Sequence, residues 1–203
     1  MNNLNSKGEV SQACRKIPKL KAYVAHAIDK IEDLRKYCVY LDKTPLEETG
    51  LDYYNEEVEH KTLPKTLISN GNINQENVVI YRQMFDEREL DKLKCYIFIG
   101  MPTTKVNNSI NTYHMLIEVL VPQEYNILLD EYSERIYEIS NLICQRLDNH
   151  IIRNNERNFD EIGNLEFKAD STIHEARLSN MNTHLSVQIP FIIRGSGNTY
   201  YED

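Results

Sequence analysis

The sequence lacks several features that would indicate particular functions. It has seven glycines, too few and too widely spaced for a glycine-rich phosphate-binding loop, and it has no Gly-x-Ser-x-Gly turn. Its net charge of −8 argues against a surface that wraps nucleic acid, because binding to phosphates requires clustered Lys and Arg. We therefore expect no cofactor of the nucleotide type and no sequence-specific binding to nucleic acid.

Long apolar runs are also missing. No stretch approaches the ~20 residues that a membrane-spanning helix needs, and the longest, residues 115–121, has the length of a strand. The first residues, Met1-Asn2-Asn3-Leu4, lack the apolar segment of a secretory signal. We expect no membrane partner and synthesis in a cytoplasm.

Cysteine and histidine are present, but they are not grouped for metal binding. The cysteines are Cys14, Cys38, Cys95 and Cys144. Each lies far from the others among apolar residues, which favours free buried thiols over disulfides or metal ligation. The histidines never repeat at a helical i, i+4 spacing, which excludes zinc on one helix. His114 and His184 fall on predicted strands and could approach each other, although hydrogen-bonded histidines are the simpler interpretation; we predict no metal site.

What the sequence does contain is clear helical and strand periodicity. Apolar residues recur at three- and four-residue steps over residues 18–41 and 124–150, which predicts two amphipathic helices. Pro18 suits the first turn of the first helix, where its missing N–H costs nothing. Pro190 cannot donate to a ladder, so the last strand should lie at an edge or stop pairing there. Strands are predicted over residues 66–68, 78–81, 95–99, 113–121, 165–170 and 185–193.

This order of elements predicts an α+β fold, with an antiparallel or mixed sheet packed by one long amphipathic helix. Residues 44–60, which we call the acidic arm, carry six carboxylates and no Lys or Arg. Such a block is typical of a solvated linker, or of an arm that meets a basic neighbour. The chain therefore divides into an N-terminal helix and acidic arm at residues 1–60, an α+β core domain at 61–195 and a flexible tail at 196–203.

The use of tyrosine indicates an interface. The chain has 13 tyrosines and no tryptophan, and tyrosine is favoured at interfaces because it combines apolar area with a polar tip. Several tyrosines fall in or beside the arm and the tail, where a monomer has little reason to place them. An arginine before the last strand is a candidate for an ordinary surface or intersubunit ion pair. The predicted interface residues are Tyr37, Tyr40, Tyr53, Tyr54, Arg177, Tyr200 and Tyr201.

One pattern is compatible with catalysis. Glu166 and Lys168 form a Glu-x-Lys strand with Asp160 or Glu161 upstream, and in many nucleases such carboxylates hold Mg²⁺ while the lysine steadies the attacking water or phosphate. Any half-exposed alternating strand produces Glu-x-Lys readily, however, and the usual upstream strand ending in Pro-Asp is missing. We predict no enzyme activity, and an Mg²⁺-dependent nuclease that uses Glu166 and Lys168 is the alternative.

Residues 113–193 follow a particular order: a strand, a long helix that ends at Arg146-Leu147-Asp148, a strand, the run 177–180 and a final strand over residues 187–191. In order and size, these elements resemble tail-terminator and head–tail joining (neck) proteins of tailed bacteriophages. The resemblance implies a structural virion subunit, assembled in the host cytoplasm. It further implies a homo-oligomeric, often hexameric, ring that contacts other tail or neck proteins and has no catalytic residues or cofactors. The N-terminal helix and acidic arm depart from the compact members of that group.

Overall fold

The computed structural model describes residues 3–69, 78–83, 93–106, 110–129, 132–152, 165–169, 174–177 and 183–196. The helices are α1 Asn3–Asp29, α2 Glu32–Val39 and α3 Arg135–Leu147, and Gln123–Tyr125 forms a short 3-10 turn. The strands are β1 Thr49–Leu51, β2 Glu57–Glu59, β3 Ile80–Tyr81, β4 Tyr96–Val106, β5 Ile110–Pro122, β6 Ile151–Ile152, β7 Leu165–Ala169, β8 His174–Arg177 and β9 His184–Ser196. Within these ranges, no helix has both the length and the apolar character needed to cross a membrane.

Seven of the strands form one mixed sheet. Its order is β3-β4-β5-β9-β7-β6, and β8 pairs with β9 as well. The β3–β4 pair is parallel, and the other described pairs of this sheet are antiparallel. β1 and β2 form a separate antiparallel hairpin within the acidic arm. The predicted α+β class with a mixed sheet is confirmed.

β4 and β5 form a long antiparallel pair that contains a bulge. Gly100 lies opposite Leu116, whereas Thr103 lies opposite His114, so β4 accommodates one additional residue at this point. Pro102 falls within the bulge, where its missing N–H does not break the regular ladder. The strand predicted over residues 95–99 is therefore too short, because β4 continues to Val106.

β9 is a central strand, so the alternative in which Pro190 places it at an edge is wrong; among the described residues, the other alternative, that pairing stops at Pro190, holds on one side of the strand. β5 pairs along one side of β9, and Pro190 lies opposite Leu116 there. On the other side, the described pairing with β7 reaches Phe191, and the pairing with β8 resumes at Gln188. Because a residue's backbone groups serve only one side of a strand, the proline is accommodated where one ladder is interrupted.

The N-terminal helix predicted over residues 18–41 is two helices. α1 ends at Asp29, whose Oδ1 accepts a hydrogen bond from the backbone N–H of Leu67 at 2.8 Å. This contact ties the end of α1 to the segment that leads to β3, and the chain turns through residues 30–31 before α2 begins. Pro18 lies inside α1 and not in its first turn, because the helix begins at Asn3.

The long helix expected over residues 124–150 is not confirmed, because α3 begins only at Arg135 and has 13 residues. Asn126 is buried beside the start of this helix. Its Oδ1 accepts a hydrogen bond from the N–H of Ile136 at 3.1 Å, and its Nδ2 donates to Glu134 at 2.7 Å. Asn126 thereby satisfies a backbone donor of the first turn, and the residues before Arg135 fold back as a loop.

Both faces of the central strands are buried. On the helix side, alternating residues of β5 share one core with Leu20 of α1, Leu34 of α2 and Ile139 of α3. Since α1 and α2 contribute to this core, we expect removal of residues 1–60 to expose apolar surface of the sheet; the predicted domain boundaries remain predictions. The residues of β5 in this core are Tyr113, Met115, Ile117, Val119 and Val121. A smaller cluster on the opposite face consists of Val78, Tyr81, Tyr96, Phe98 and Leu120.

Candidate functional site

The acidic arm, the end of α2 and the turn after β5 enclose a cleft of about 430 Å³, which we call the tyrosine cleft. The Tyr53 and Tyr125 rings contact each other with centroids 5.6 Å apart, which joins the arm to the turn after β5. The aromatic residues of the cleft are Tyr40, Tyr53, Tyr54, His60 and Tyr125, and its acidic residues are Asp42, Asp52 and Glu59.

A histidine–carboxylate pair lies in the wall of the cleft. His60 Nε2 is 2.9 Å from Asp42 Oδ2, and the two side chains are only 11% and 10% exposed. The Tyr40 ring stacks on the His60 ring, with centroids 4.0 Å apart and planes 5° apart. The second Asp42 oxygen accepts a hydrogen bond from the N–H of Thr44 at 2.9 Å. These contacts fix the end of the arm against the chain that leaves α2.

Gly50, on β1, lies directly against this pair. A Cβ at this position would be 2.6 Å from His60 Nε2 and 2.9 Å from Asp42 Cγ and Oδ2, closer than nonbonded atoms approach. The β1–β2 hairpin can therefore reach the pair only because residue 50 has no side chain.

Arg135 joins the end of α2 to the turn after β5. Its side chain is fully buried. Its Nε donates to the carbonyl of Tyr125 at 2.7 Å, and its Nη1 donates to the carbonyls of Tyr37 at 2.5 Å and Tyr40 at 2.8 Å. Its Nη2 donates to the carbonyl of Asp42. The acceptors at the end of α2 carry the negative end of the helix dipole, which favours a buried cation there.

Lys43, the residue just before the acidic arm, also binds the arm. Its N–H donates to the carbonyl of Leu51 at 2.7 Å, and its carbonyl accepts from the N–H of Leu129 at 3.1 Å. Its Nζ donates to the carbonyl of Tyr53 at 3.0 Å and lies 5.5 Å from the centroid of that ring. Lys43 therefore links the arm to the loop before α3 through two backbone hydrogen bonds. Its ammonium group also contacts the carbonyl and the ring of Tyr53 in the arm.

Three of the predicted interface tyrosines come together at the cleft. Tyr40 stacks in its wall, Tyr53 is 36% exposed, and Tyr54 is 86% exposed at its rim. Tyr37 is buried, and its side chain belongs to the core that α2 shares with the sheet. The sequence thus located the aromatic part of this site.

For the other predicted interface residues, Arg177, Tyr200 and Tyr201, the structure describes no side-chain contact with the cleft. Arg177 is the last residue of β8, and its backbone pairs with Leu185 of β9. The side chain of Arg177 lies outside what the structure describes, as do Tyr200 and Tyr201 altogether.

Glu166 and Lys168, the residues of the nuclease hypothesis, are both exposed on β7. Glu166 lies opposite Arg194 of β9, and the upstream Asp160 and Glu161 lie outside the described residues. In the part of the chain that the structure describes, no group of three or more His, Cys, Asp or Glu side chains is placed to hold a metal ion. The nuclease alternative remains a hypothesis that rests on two exposed residues.

His114 and His184 do not approach each other. Along the β5–β9 ladder, His114 lies opposite Ile192 and His184 opposite Pro122, a separation of about 26 Å at the usual strand rise. His184 is buried, with Nε2 3.1 Å from the carbonyl of Lys94. Burial lowers the pKa of the His184 imidazole, and its hydrogen bond to that carbonyl partly opposes the shift.

The second face of the sheet contains two further buried charges. Lys94 Nζ donates to the hydroxyl of Tyr81 at 3.0 Å and lies 5.0 Å from the centroid of the Tyr96 ring. Glu118 Oε1 accepts from the hydroxyl of Ser186 at 2.8 Å. Both groups are satisfied by neighbouring strands, which is the usual requirement for buried charge, so their contacts are those of structural residues.

Sequence reasoning missed the polar residues that shape the cleft: Asp42, Gly50, His60 and Arg135. Gly50 and His60 stand out within the acidic arm in the sequence, but neither residue type shows which residues of the chain it contacts. The chain matches no known family model, and it matches no curated protein. Its function is therefore argued from the cleft and its surroundings.

Proposed function

We propose that the protein is a structural subunit of a bacteriophage tail end or head–tail neck that assembles with further copies of itself into a ring. The observation that carries the proposal is a concentration of exposed apolar side chains on the acidic arm and on the loop before α3, of which Tyr53, Tyr54 and Val58 line the tyrosine cleft. Seven of the ten large hydrophobic residues that are exposed in the described part of the chain lie on the arm or on the loop before α3. These seven are Leu46, Tyr53, Tyr54, Val58, Ile127, Leu129 and Tyr132.

The two segments that present these residues are in contact. The Tyr53–Tyr125 ring pair and the Leu129–Lys43 hydrogen bond both join the arm to the loop. Tyr54 and Tyr132 are the most exposed members, at 86% and 95%. Exposed apolar area is unfavourable in water, whereas a subunit interface would bury it, and tyrosines are among the residues that contribute most to binding energy.

The test is the mass of the purified protein as a function of concentration, measured by light scattering or sedimentation. We expect a discrete oligomer, and we expect the double variant Tyr54→Ser/Tyr132→Ser to weaken association at least tenfold, on the order of 1.4 kcal/mol or more. Ile151→Ser is the matched control, because Ile151 is 49% exposed on β6, away from the cleft, and it should leave the oligomer unchanged.

Two results would contradict the proposal. A protein that stays monomeric at all concentrations is not a self-assembling ring subunit. Mg²⁺-dependent cleavage of DNA that is lost in Lys168→Ala would favour the nuclease.

A further inference from the structure

The tyrosine cleft combines aromatic ring faces with an excess of carboxylates: Asp42, Asp52 and Glu59 line it together with one lysine, Lys61. Glu59 lines the cleft from β2 and is exposed, and Glu57 is exposed on the same strand. Among the described residues, the Glu59 carboxylate has no hydrogen-bond or ion-pair partner, whereas Asp42 is paired with His60. Ring faces and carboxylates both attract cations.

The protein itself shows that such a site accepts a cation. Lys43 places its ammonium group 5.5 Å from the centroid of the Tyr53 ring while it donates to the Tyr53 carbonyl. Tyr54 and Glu59, which line the cleft, offer the same two kinds of group, and Lys61 is the single lysine among the described lining residues.

The first part of α1 has the complementary charge. Residues 3–21 contain five Lys or Arg and one carboxylate, whereas the acidic arm contains six carboxylates and no Lys or Arg. Arg15 is exposed and Lys16 is half-buried, and the face of α1 that enters the core begins further along the helix, at Leu20. The helix before Ile17 extends about 20 Å at 1.5 Å per residue, long enough to lie across the cleft of another molecule.

We propose that the tyrosine cleft of one copy binds the basic N-terminal part of α1 of a second copy, with Arg15 and Lys16 directed at the ring faces and at Glu57 and Glu59. The inference rests on the proposed self-assembly and names the two surfaces that meet. None of the described residues that line the cleft belongs to α1, so the two surfaces of one molecule are distinct. Contact between two different surfaces is head-to-tail, and it can continue from copy to copy until a ring closes.

The test is a charge exchange in the full-length chain. One variant carries Glu57→Lys and Glu59→Lys, and the other carries Arg15→Glu and Lys16→Glu. Each variant alone places like charges opposite each other, so we expect each to lose association at least tenfold. In an equimolar mixture the two variants can alternate, which restores opposite charges at every contact of a ring with an even number of copies, and such a mixture should associate within about threefold of the unaltered protein.

A control variant distinguishes the effect of charge at the cleft from the effect of the net charge of the protein. Glu32→Lys/Glu166→Lys changes the net charge by the same amount as the cleft variant at two exposed residues outside the cleft, and it should assemble normally. Circular dichroism and thermal melting of each variant establish that it is folded, and only folded variants enter the comparison.

The outcomes distinguish this inference from the function on which it rests. If the unaltered protein is monomeric, the proposed function itself is wrong. If it assembles and the two charge variants assemble equally well, or if their mixture fails to restore association, self-assembly stands and the contact between the cleft and α1 is overturned. Restored association only in the mixture supports the inference.

Discussion

The central sheet and the acidic arm are stabilised in different ways. β4, β5 and β9 bury apolar side chains on both faces, so many small contributions from burial hold them together. The hairpin of the arm has only three residues in each strand, and all three residues of β2 are exposed. Its position depends on a few polar contacts, made by Lys43 and the Asp42–His60 pair, while Arg135 holds the chain between α2 and the arm. Single polar substitutions should therefore displace the arm far more readily than they disturb the sheet.

The largest effect is expected at Arg135, which bonds the chain between α2 and the arm to the turn after β5. Replacement by Met removes four hydrogen bonds and leaves the carbonyls of Tyr37, Tyr40, Asp42 and Tyr125 without their donor. We expect the free energy of unfolding to fall by about 3–5 kcal/mol, measured by chemical denaturation.

Arg146→Met provides the matched control for this substitution. Arg146 is exposed near the end of the same helix, and its replacement should change stability by no more than about 0.5 kcal/mol. Equal effects of the two substitutions would show that the buried guanidinium does not hold the chain after α2 to the turn after β5.

A smaller and local effect is expected for Gly50→Ala. The new Cβ would collide with His60 and Asp42, so the hairpin must move, at a cost of about 1–3 kcal/mol. Hydrogen exchange should become faster for the amides of residues 49–59 and stay unchanged in β5 and β9.

A double-mutant cycle with His60→Ala identifies the cause of that effect. Removal of the imidazole makes room for the Cβ, so Gly50→Ala should cost less in the His60→Ala background than in the unaltered protein. Identical costs in the two backgrounds would exclude the collision as the explanation.

The smallest effect concerns pH and lies in the sheet. Burial keeps the pKa of His184 below its ordinary value, whereas in the unfolded chain a histidine titrates near about 6.5. Below that pH the unfolded state binds a proton that the native state does not, so stability present at neutral pH is lost as the pH falls.

His184→Gln should therefore reduce the loss of stability between about pH 7.5 and pH 5, measured by urea denaturation at each pH. The exposed His26 serves as the control when it is changed to Gln. A pH dependence that is the same in all three proteins would mean that His184 does not contribute to it.

The strands could be predicted because alternation is a local property. Residues 113–121 and 185–193 alternate between two faces, and β5 and β9 include them both. The helix over residues 124–150 was predicted too long, because apolar spacing continues through a segment in which Asn126 instead bonds the first turn of α3. A side chain that satisfies a helix terminus leaves no periodic signal.

The same limit applies to the site. Tyr40, Tyr53 and Tyr54 were predicted as interface residues from their type and position in the chain, and the structure brings them together at the cleft. The hydrogen-bond acceptors of Arg135 lie up to 98 residues away in the chain. The residues that lie against Gly50, Asp42 and His60, come beside β1 only in the folded chain.

From the sequence alone follow the α+β class, five of the seven described strands of the sheet, the acidic character of the arm and its enrichment in tyrosine, because each depends on composition or on the spacing of neighbouring residues. The position of the arm, the central place of β9 and the set of residues around the cleft depend on the tertiary fold. Those properties depend on contacts between residues distant in the chain, in which a buried cation, a missing Cβ and a histidine–carboxylate pair fit together only after the core has formed.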